Sequence, residues 1–333
     1  DGEHRNEGDI RGLLKRFFGY SLTGSTALQV ALLFCGVGAN GKSTLVNVLR
    51  GIFGPYAQTL PVETLLDQDR KGGSEASPDI ARLPSKRLAL ASEPEKKSRL
   101  STAKLKQFTG GEPIVARELH KGFFEFQPSF KVVMSFNDRP SVPAQDDGTW
   151  RRMLLIMFMQ KMPKEQRRER FEDELLKEAS GILNWLIAGY RDWRAGGLRV
   201  PEGVRAATET YRNDNDPLGQ FISVCCLPPD DLDKMRGPDG ALPDERASHL
   251  YAAYRLWCEE AVTDAMSKRI FGLKLGDKGY GKKHSGGTVY QGIALTTEWQ
   301  AKAIELVNRE AERAQGLGRW GRSRGDHLGG GDA

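Results

Sequence analysis

The chain has 333 residues, 39% of them apolar, which is enough to bury the cores of two or three domains and too apolar for a disordered polymer. Its 49 basic and 44 acidic residues leave a net charge of +5, too mild a bias to mark nucleic-acid binding from composition. No apolar run reaches membrane-spanning length and no signal peptide is recognised, so an intracellular protein is expected.

In chain order, Ile10 to Leu28 reads as a helical lead with Leu13, Leu14, Phe17 and Phe18 on one side. The apolar run Val30-Ala31-Leu32-Leu33-Phe34-Cys35 reads as a buried strand, and Thr44 to Arg50 as a helix with Leu45, Val48 and Leu49 on one face. The polar, Gly/Ser-rich stretch Asp67 to Asp79 is a loop. Further buried strands are expected at 87–91, 130–135 and 153–158. Apolar strands separated by helices and loops predict a parallel α/β sheet covered on both faces. From Lys164 to Trp193 the pattern is helical, and the stripe Phe171, Leu175, Ile182, Leu183, Leu186, Ile187 and Tyr190 reads as core. Residues 201–216 form a polar connector with some helix. A second unit starts near Pro217, with an acidic Pro/Gly-containing inserted loop at 228–243 and a helix at 247–262. The Gly- and Arg-rich stretch from Gly316 is expected to be disordered. The domain reading is therefore a lead at 1–28, a core at 29–200, a linker at 201–216, a small domain at 217–305 and a tail at 306–333. Cys35, Cys225, Cys226 and Cys258 form no CxxC pair and read as buried reduced thiols. The chain starts at Asp1 without a methionine, so a missing amino-terminal part is expected.

The chemistry centres on Gly36-Val37-Gly38-Ala39-Asn40-Gly41-Lys42-Ser43, directly after the first strand. This is the phosphate-loop pattern. Its glycines let backbone N–H groups close on phosphate oxygens, its lysine reaches the terminal phosphates, and its serine hydroxyl ligates magnesium. Thr44 completes the nucleotide-binding set. A phosphate loop needs an acid: Glu93, directly after the second strand of the sheet, is the first choice and Glu95 the second, against a plain acidic turn. Asn137 ends the next strand, where an amide can position the attacking water or form an ordinary Asn-Asp turn. Arg151 and Arg152 precede the last strand and suit γ-phosphate stabilisation, against a surface pair.

The series Gly36 to Thr44, Ser92 to Glu95, Lys106 to Glu112, Ser135 to Pro140 and Gly148 to Arg152 resembles the helicase module of phage and plasmid primase-helicases. That group includes the poxvirus primase-helicase and belongs to the superfamily 3 helicases. The resemblance runs from about Arg11 to about Leu295. It implies an AAA+-type core in a hexameric ring around DNA, magnesium-dependent ATP hydrolysis at subunit interfaces, and 3′-to-5′ translocation on single strands. It assigns Lys42 and Ser43 to phosphate and magnesium, Glu93 to the acidic motif and Asn137 to the polar sensor. Arg152 matches the arginine finger, with Arg151 in reserve.

The resemblance also gives meaning to Pro113 to Phe126, whose two β-prone arms around Gly122 read as a hairpin. In such rings a hairpin at this place projects into the channel, so Arg117, His120 and Lys121 are DNA-contact candidates. Ser267 to Tyr280 reads as a basic helix, followed by two arms around Ser285-Gly286-Gly287. Helix, basic helix and hairpin make a winged helix-turn-helix, similar to the carboxyl-terminal domain often found in the family. Lys268, Arg269, Lys274, Lys282 and Lys283 are its phosphate-contact candidates, against a protein-docking wing. The expected function is an ATP-driven replicative helicase of a phage or mobile element, acting on single-stranded and forked DNA in a bacterial host cytoplasm. A primase domain on the amino-terminal side and no membrane partner are expected. The rivals are an ATP-regulated initiator or loader without processive unwinding, and a P-loop kinase.

Overall fold

The computed structural model describes residues 3–67, 77–92, 98–284 and 287–322, which form two compact units divided between Asn215 and Asp216. In the first unit α1 (Glu3–Ser21) leads into β1 (Ala31–Cys35), α2 (Lys42–Phe53), β2 (Ala57–Leu60), α3 (Pro78–Ala81) and β3 (Leu88–Ser92). Next come α4 (Thr102–Gly110), the antiparallel pair β4 (Ile114–Arg117) and β5 (Phe123–Phe126), then β6 (Lys131–Phe136), α5 (Asp147–Trp150) and β7 (Met153–Met157). The unit ends with α6 (Phe171–Leu176), α7 (Ala179–Gly196) and α8 (Glu202–Asp214).

β1, β3, β6 and β7 are almost wholly apolar because both faces of their sheet are covered. The five strands run parallel in the order β2-β3-β6-β1-β7. Leu32 and Phe34 pack on the side that holds Phe17, Leu49 and Leu186, while Ala31 and Leu33 face Phe108, Trp150 and Tyr211. α1 and α7 meet at glycine. A Cβ on Gly19 would lie 2.3 Å from the Tyr190 nitrogen, and one on Gly189 would lie 2.0 Å from the Lys15 carbonyl oxygen.

The second unit contains α9 (Pro217–Cys225), α10 (Pro229–Lys234), β8 (Asp244–Arg246), α11 (Ala247–Glu260), α12 (Lys268–Asp277), β9 (Lys282–His284), β10 (Thr288–Gln291) and α13 (Thr297–Arg322). Its three strands form an antiparallel sheet in the order β8-β10-β9. The core is aromatic: Phe271 lies 4.9 Å from Tyr254, and Phe221 lies 5.5 Å from Tyr254, measured between ring centroids.

Four expectations are corrected. The connector at 201–216 is mostly α8, which packs on β7: Tyr211 is buried and Thr208 Oγ1 accepts a hydrogen bond from the Leu155 nitrogen at 3.0 Å. The expected boundary between 305 and 306 and the expected disorder from Gly316 both fall inside α13, which stays helical to Arg322. The stripe from Phe171 to Tyr190 is not core throughout. Leu186 is fully buried, but Leu183 and Ile187 are exposed. The four cysteines are buried free thiols, as expected, and burial pushes Cys225 and Cys226 up to about 12.

Candidate functional site

β1 ends at Cys35, and the chain turns back through six residues into α2. Gly36 makes the turn possible. A Cβ there would sit 2.3 Å from the Phe158 carbonyl oxygen and 2.6 Å from Asn40 Nδ2, with φ at +156°. Asn40 Nδ2 donates to the same Phe158 oxygen at 3.1 Å and ties the loop to the strand beside it. Ala39 (φ 64°) and Gly41 (φ 86°) take left-handed backbone, and no side chain caps α2. Gly38 and Gly41 face open space. An uncapped amino terminus of a twelve-residue helix behind a glycine loop fits phosphate, because its N–H groups and dipole both favour an anion.

Lys42 is only 6% exposed. Its ammonium donates to the Gly36 carbonyl, to Asn40 Oδ1 at 3.1 Å and to Asn137 Oδ1 at 3.2 Å. Asn137 reaches it because β6 pairs in parallel with β1, matching Phe136 to Cys35, so the next residue of β6 emerges beside the loop. Cys35 Sγ lies 3.8 Å from the Asn137 carbonyl oxygen. Two segments almost a hundred residues apart in sequence thus converge on one cation. β3 ends on the same edge, with Ser92 matched to Ser135. Glu93 and Glu95, which follow it, lie outside the described residues. Ser43 and Thr44 open α2, and Thr44 Oγ1 lies 3.4 Å from Glu172 Oε1 of α6. Among the described residues no cluster of three or more His, Cys, Asp or Glu side chains is placed to hold a metal ion.

A cleft of about 1260 Å³ opens beside the loop, lined by Ala39, Gly41, Thr44, Met162, Phe171 and Trp185 among others. Part of its wall, Phe171, Leu175 and Ile182, comes from the stripe that sequence reasoning assigned to core, and part from α1 and α2. The overlooked signal is the stripe's width, since apolar residues at 182, 183, 185, 186 and 187 cover more of a helix than one buried face.

Arg151 and Arg152 sit at the opposite edge of the sheet. The Ala31 nitrogen donates to the Arg152 carbonyl at 2.7 Å, so Arg152 marks the start of β7 beside the start of β1. The phosphate loop follows the end of β1, four residues on and about 13 Å away along the strand. Arg152, 8% exposed, is held by Thr109 Oγ1 (3.1 Å), the Gly148 carbonyl (2.7 Å) and Gln29 Oε1 (3.0 Å). Burial, and then the field of Arg151, pull its pKa down. Arg151 is exposed and shares Gln29 Oε1 at 3.2 Å. Asp146 caps α5 just before this turn, accepts from the Thr149 nitrogen at 3.1 Å and pairs with Lys106 of α4 at 2.6 Å.

The 113–126 segment is the expected hairpin. Ile114 and Ala116 are buried, while Arg117, His120 and Lys121 lie toward the outside and tip. His120 takes left-handed backbone (φ 59°), Lys121 is ion-paired with Glu118, and Arg117 Nε donates to the Lys121 carbonyl at 3.2 Å.

In the second unit Ser267 caps α12, accepting from the Ile270 nitrogen at 3.5 Å, and β9 and β10 form the following arms. A cleft of about 710 Å³ between them gathers Lys268, Arg269 and Lys282 with Arg246, which sequence reasoning missed. Lys274 and Lys283 do not line it. Ile270 and Leu273 of the same helix are exposed, so the surface is not uniformly basic.

A family of unknown function, DUF5906, matches residues 34–152, which hold the loop, the hairpin, Asn137 and both arginines. The chain is similar to "Putative helicase L207/L206" of Acanthamoeba polyphaga mimivirus, 31% identical over 60% of this chain and 23% of the relative. It is also similar to "Putative primase C962R" of African swine fever virus, 30% identical over 58% of this chain and 22% of the relative. The chain thus spans less than a quarter of the length of these two relatives. It shares its fold with the apo structure of the NrS-1 C-terminal region, with a TM-score of 0.51 at 17% identity, covering 89% of this chain and 73% of that one. No helix among the described residues is long and apolar enough to cross a membrane.

Proposed function

We propose that this chain is the motor portion of a replicative DNA helicase of the kind DNA viruses encode, hydrolysing ATP between subunits of a ring. The observation that carries the reading is the division of groups between the two edges of one sheet. Lys42 and Asn137 converge at the carboxyl edge, while the arginine pair stands at the amino edge, beyond its own chain's reach of the loop. A second copy presenting its amino edge completes the set.

In this reading the loop amides and Lys42 hold the β- and γ-phosphates, and the cleft beside Phe171 and Trp185 receives the nucleoside. Ser43 with Glu93 (Glu95 in reserve) would hold magnesium, which supplies charge neutralisation between the phosphates. Asn137 hydrogen-bonds Lys42 now, and with phosphate present it orients the attacking water. The neighbour's arginine stabilises charge as the terminal phosphoryl group transfers to water. Exposure favours Arg151 as the group that reaches across and Arg152 as the group that holds the turn. The second unit, read as a winged helix, contacts DNA phosphates through Lys268, Arg269, Lys282 and Arg246, with Lys274 and Lys283 outside the cleft.

The test is ATP hydrolysis with and without single-stranded DNA, together with strand displacement on a tailed duplex. Wild type hydrolyses faster with DNA and displaces the strand, and Lys42→Ala does neither. Hydrolysis indifferent to DNA, without displacement, rejects the motor reading.

A further inference from the structure

The hairpin of β4 and β5 has two unlike faces. Ile114 and Ala116 point into the core, with Phe124 and Phe126 packed against it. The other face carries Val115, Arg117, Phe123 and Glu125, and there Arg117 pairs directly across the strands with Phe123. Phe123 is 58% exposed, and Val115 (50%) and the nearby tip residue Leu119 (64%) are exposed too. The Arg117 guanidinium lies 5.3 Å from the Phe123 ring centroid.

A hairpin that gripped a strand only by its phosphates would carry a net positive charge. This one does not: between Ile114 and Phe126 the two cations Arg117 and Lys121 are balanced by Glu118 and Glu125. Lys121 is moreover paired with Glu118. What the face does offer is an aromatic ring held beside a guanidinium, the arrangement on which unpaired bases stack, and every base has a π-face to present. Resting on the helicase reading above, we propose that Phe123 is a stacking platform for a base of single-stranded nucleic acid, with Arg117 holding the ring and extending the surface. Lys121 is then an accessory to the grip.

The experiment uses the whole chain and a single-stranded DNA oligomer carrying 2-aminopurine, with binding followed by anisotropy across a salt series. Phe123→Ala weakens binding by about five- to a hundred-and-fiftyfold. It leaves the slope of affinity against salt unchanged and removes the quenching of 2-aminopurine seen with wild type. Phe123→Leu, which keeps apolar area but has no π-face, behaves like the alanine variant, and Phe123→Trp restores binding and quenching. Lys121→Ala lowers the salt slope by about one phosphate contact at most. Because the ring is exposed, these variants are expected to fold, which circular dichroism checks.

Wild-type binding with Phe123→Ala unchanged overturns the stacking platform alone. So does wild-type affinity in Phe123→Leu, which makes the contact merely apolar. Loss of DNA affinity only alongside loss of self-association in sedimentation makes Phe123 a contact between copies of this chain and also overturns the proposal. Failure of wild type to bind single strands under any condition removes the helicase reading itself.

Discussion

Replacing each arginine of the 151–152 pair separately tests whether burial distinguishes the reaching group from the holding one. Arg152→Ala deletes three hydrogen bonds, to Thr109, Gly148 and Gln29. At about 1 kcal/mol net each, the loss is roughly 2–4 kcal/mol of unfolding free energy. Thr109 Oγ1 keeps its own bond to the Leu105 carbonyl, so the loss stays toward the lower end of that range. Arg151→Ala deletes one exposed bond to an acceptor that Arg152 continues to use, and stability moves by no more than about 0.5 kcal/mol. Turnover reverses the order. If Arg151 reaches the neighbouring nucleotide, its loss slows hydrolysis by about a thousandfold or more and spares nucleotide binding. Urea unfolding, binding of a fluorescent ATP analogue and steady-state hydrolysis read the three quantities. Mixing Arg151→Ala with Lys42→Ala in equal amounts adds a geometric check. An interface works when one side keeps Lys42 and the other keeps Arg151, which is half times half, about a quarter of interfaces in randomly mixed rings. Wild-type turnover in Arg151→Ala refutes the inference from exposure. Lost turnover in Arg152→Ala at unchanged stability refutes the holding role. No recovery on mixing refutes action between subunits.

Two further predictions concern the frame that carries the site. Gly189→Ala places a Cβ 2.0 Å from the Lys15 carbonyl oxygen, a backbone atom that cannot swing aside, so α1 and α7 must separate at a cost of about 3 kcal/mol or more in chemical denaturation. Gly38→Ala, at a position facing open space, is the neutral control for stability. Lys131, 3% exposed, is pushed down to about 7 by burial and then by Arg87, while the unfolded chain keeps that proton until about pH 10.4. Between those values the unfolded state binds more protons, so wild-type stability rises with pH relative to Lys131→Met, by at most about 5 kcal/mol; a constant difference between the two unfolding midpoints from about pH 6 to about pH 9 rejects a neutral buried amine.

The sheet and the loop were legible because their physics is local. A strand covered on both faces must be apolar along its length, as Ala31 to Cys35 and Lys131 to Phe136 almost wholly are, and the turn at Gly36 excludes any side chain. The convergence of Lys42 and Asn137 was partly legible, since both follow strands of one parallel sheet, but their contact depends on β1 and β6 being neighbours. The cleft beside the loop was not legible. Periodicity finds the apolar side of a helix but cannot say whether anything covers it, and Phe171 and Trp185 are left lining open volume. α8 was underread for the opposite reason. It is polar almost throughout, and Val204, Tyr211 and the Thr208 hydroxyl suffice to seat it on β7. The difference in exposure between Arg151 and Arg152 was not legible either; the family resemblance puts Arg152 first as the finger, whereas the proposed reading puts the exposed Arg151 first.

Helix α4 also links the arginine turn to the hairpin. α4 touches both of the groups that hold that turn, since Thr109 accepts from Arg152 and Lys106 pairs with Asp146, the cap of α5. α4 ends at Gly110, Gly111 follows in left-handed backbone (φ 84°), and β4 begins at Ile114. One helix and three intervening residues thus separate the arginine turn from the hairpin. β3 and β6, which flank this insertion in sequence, are adjacent strands fixed in register from Leu88 and Lys131 onward. On the proposed reading, α4 is the direct packing route between the arginine turn, which a neighbour's nucleotide would meet, and the hairpin, while Asn137 follows β6 beside the phosphate loop.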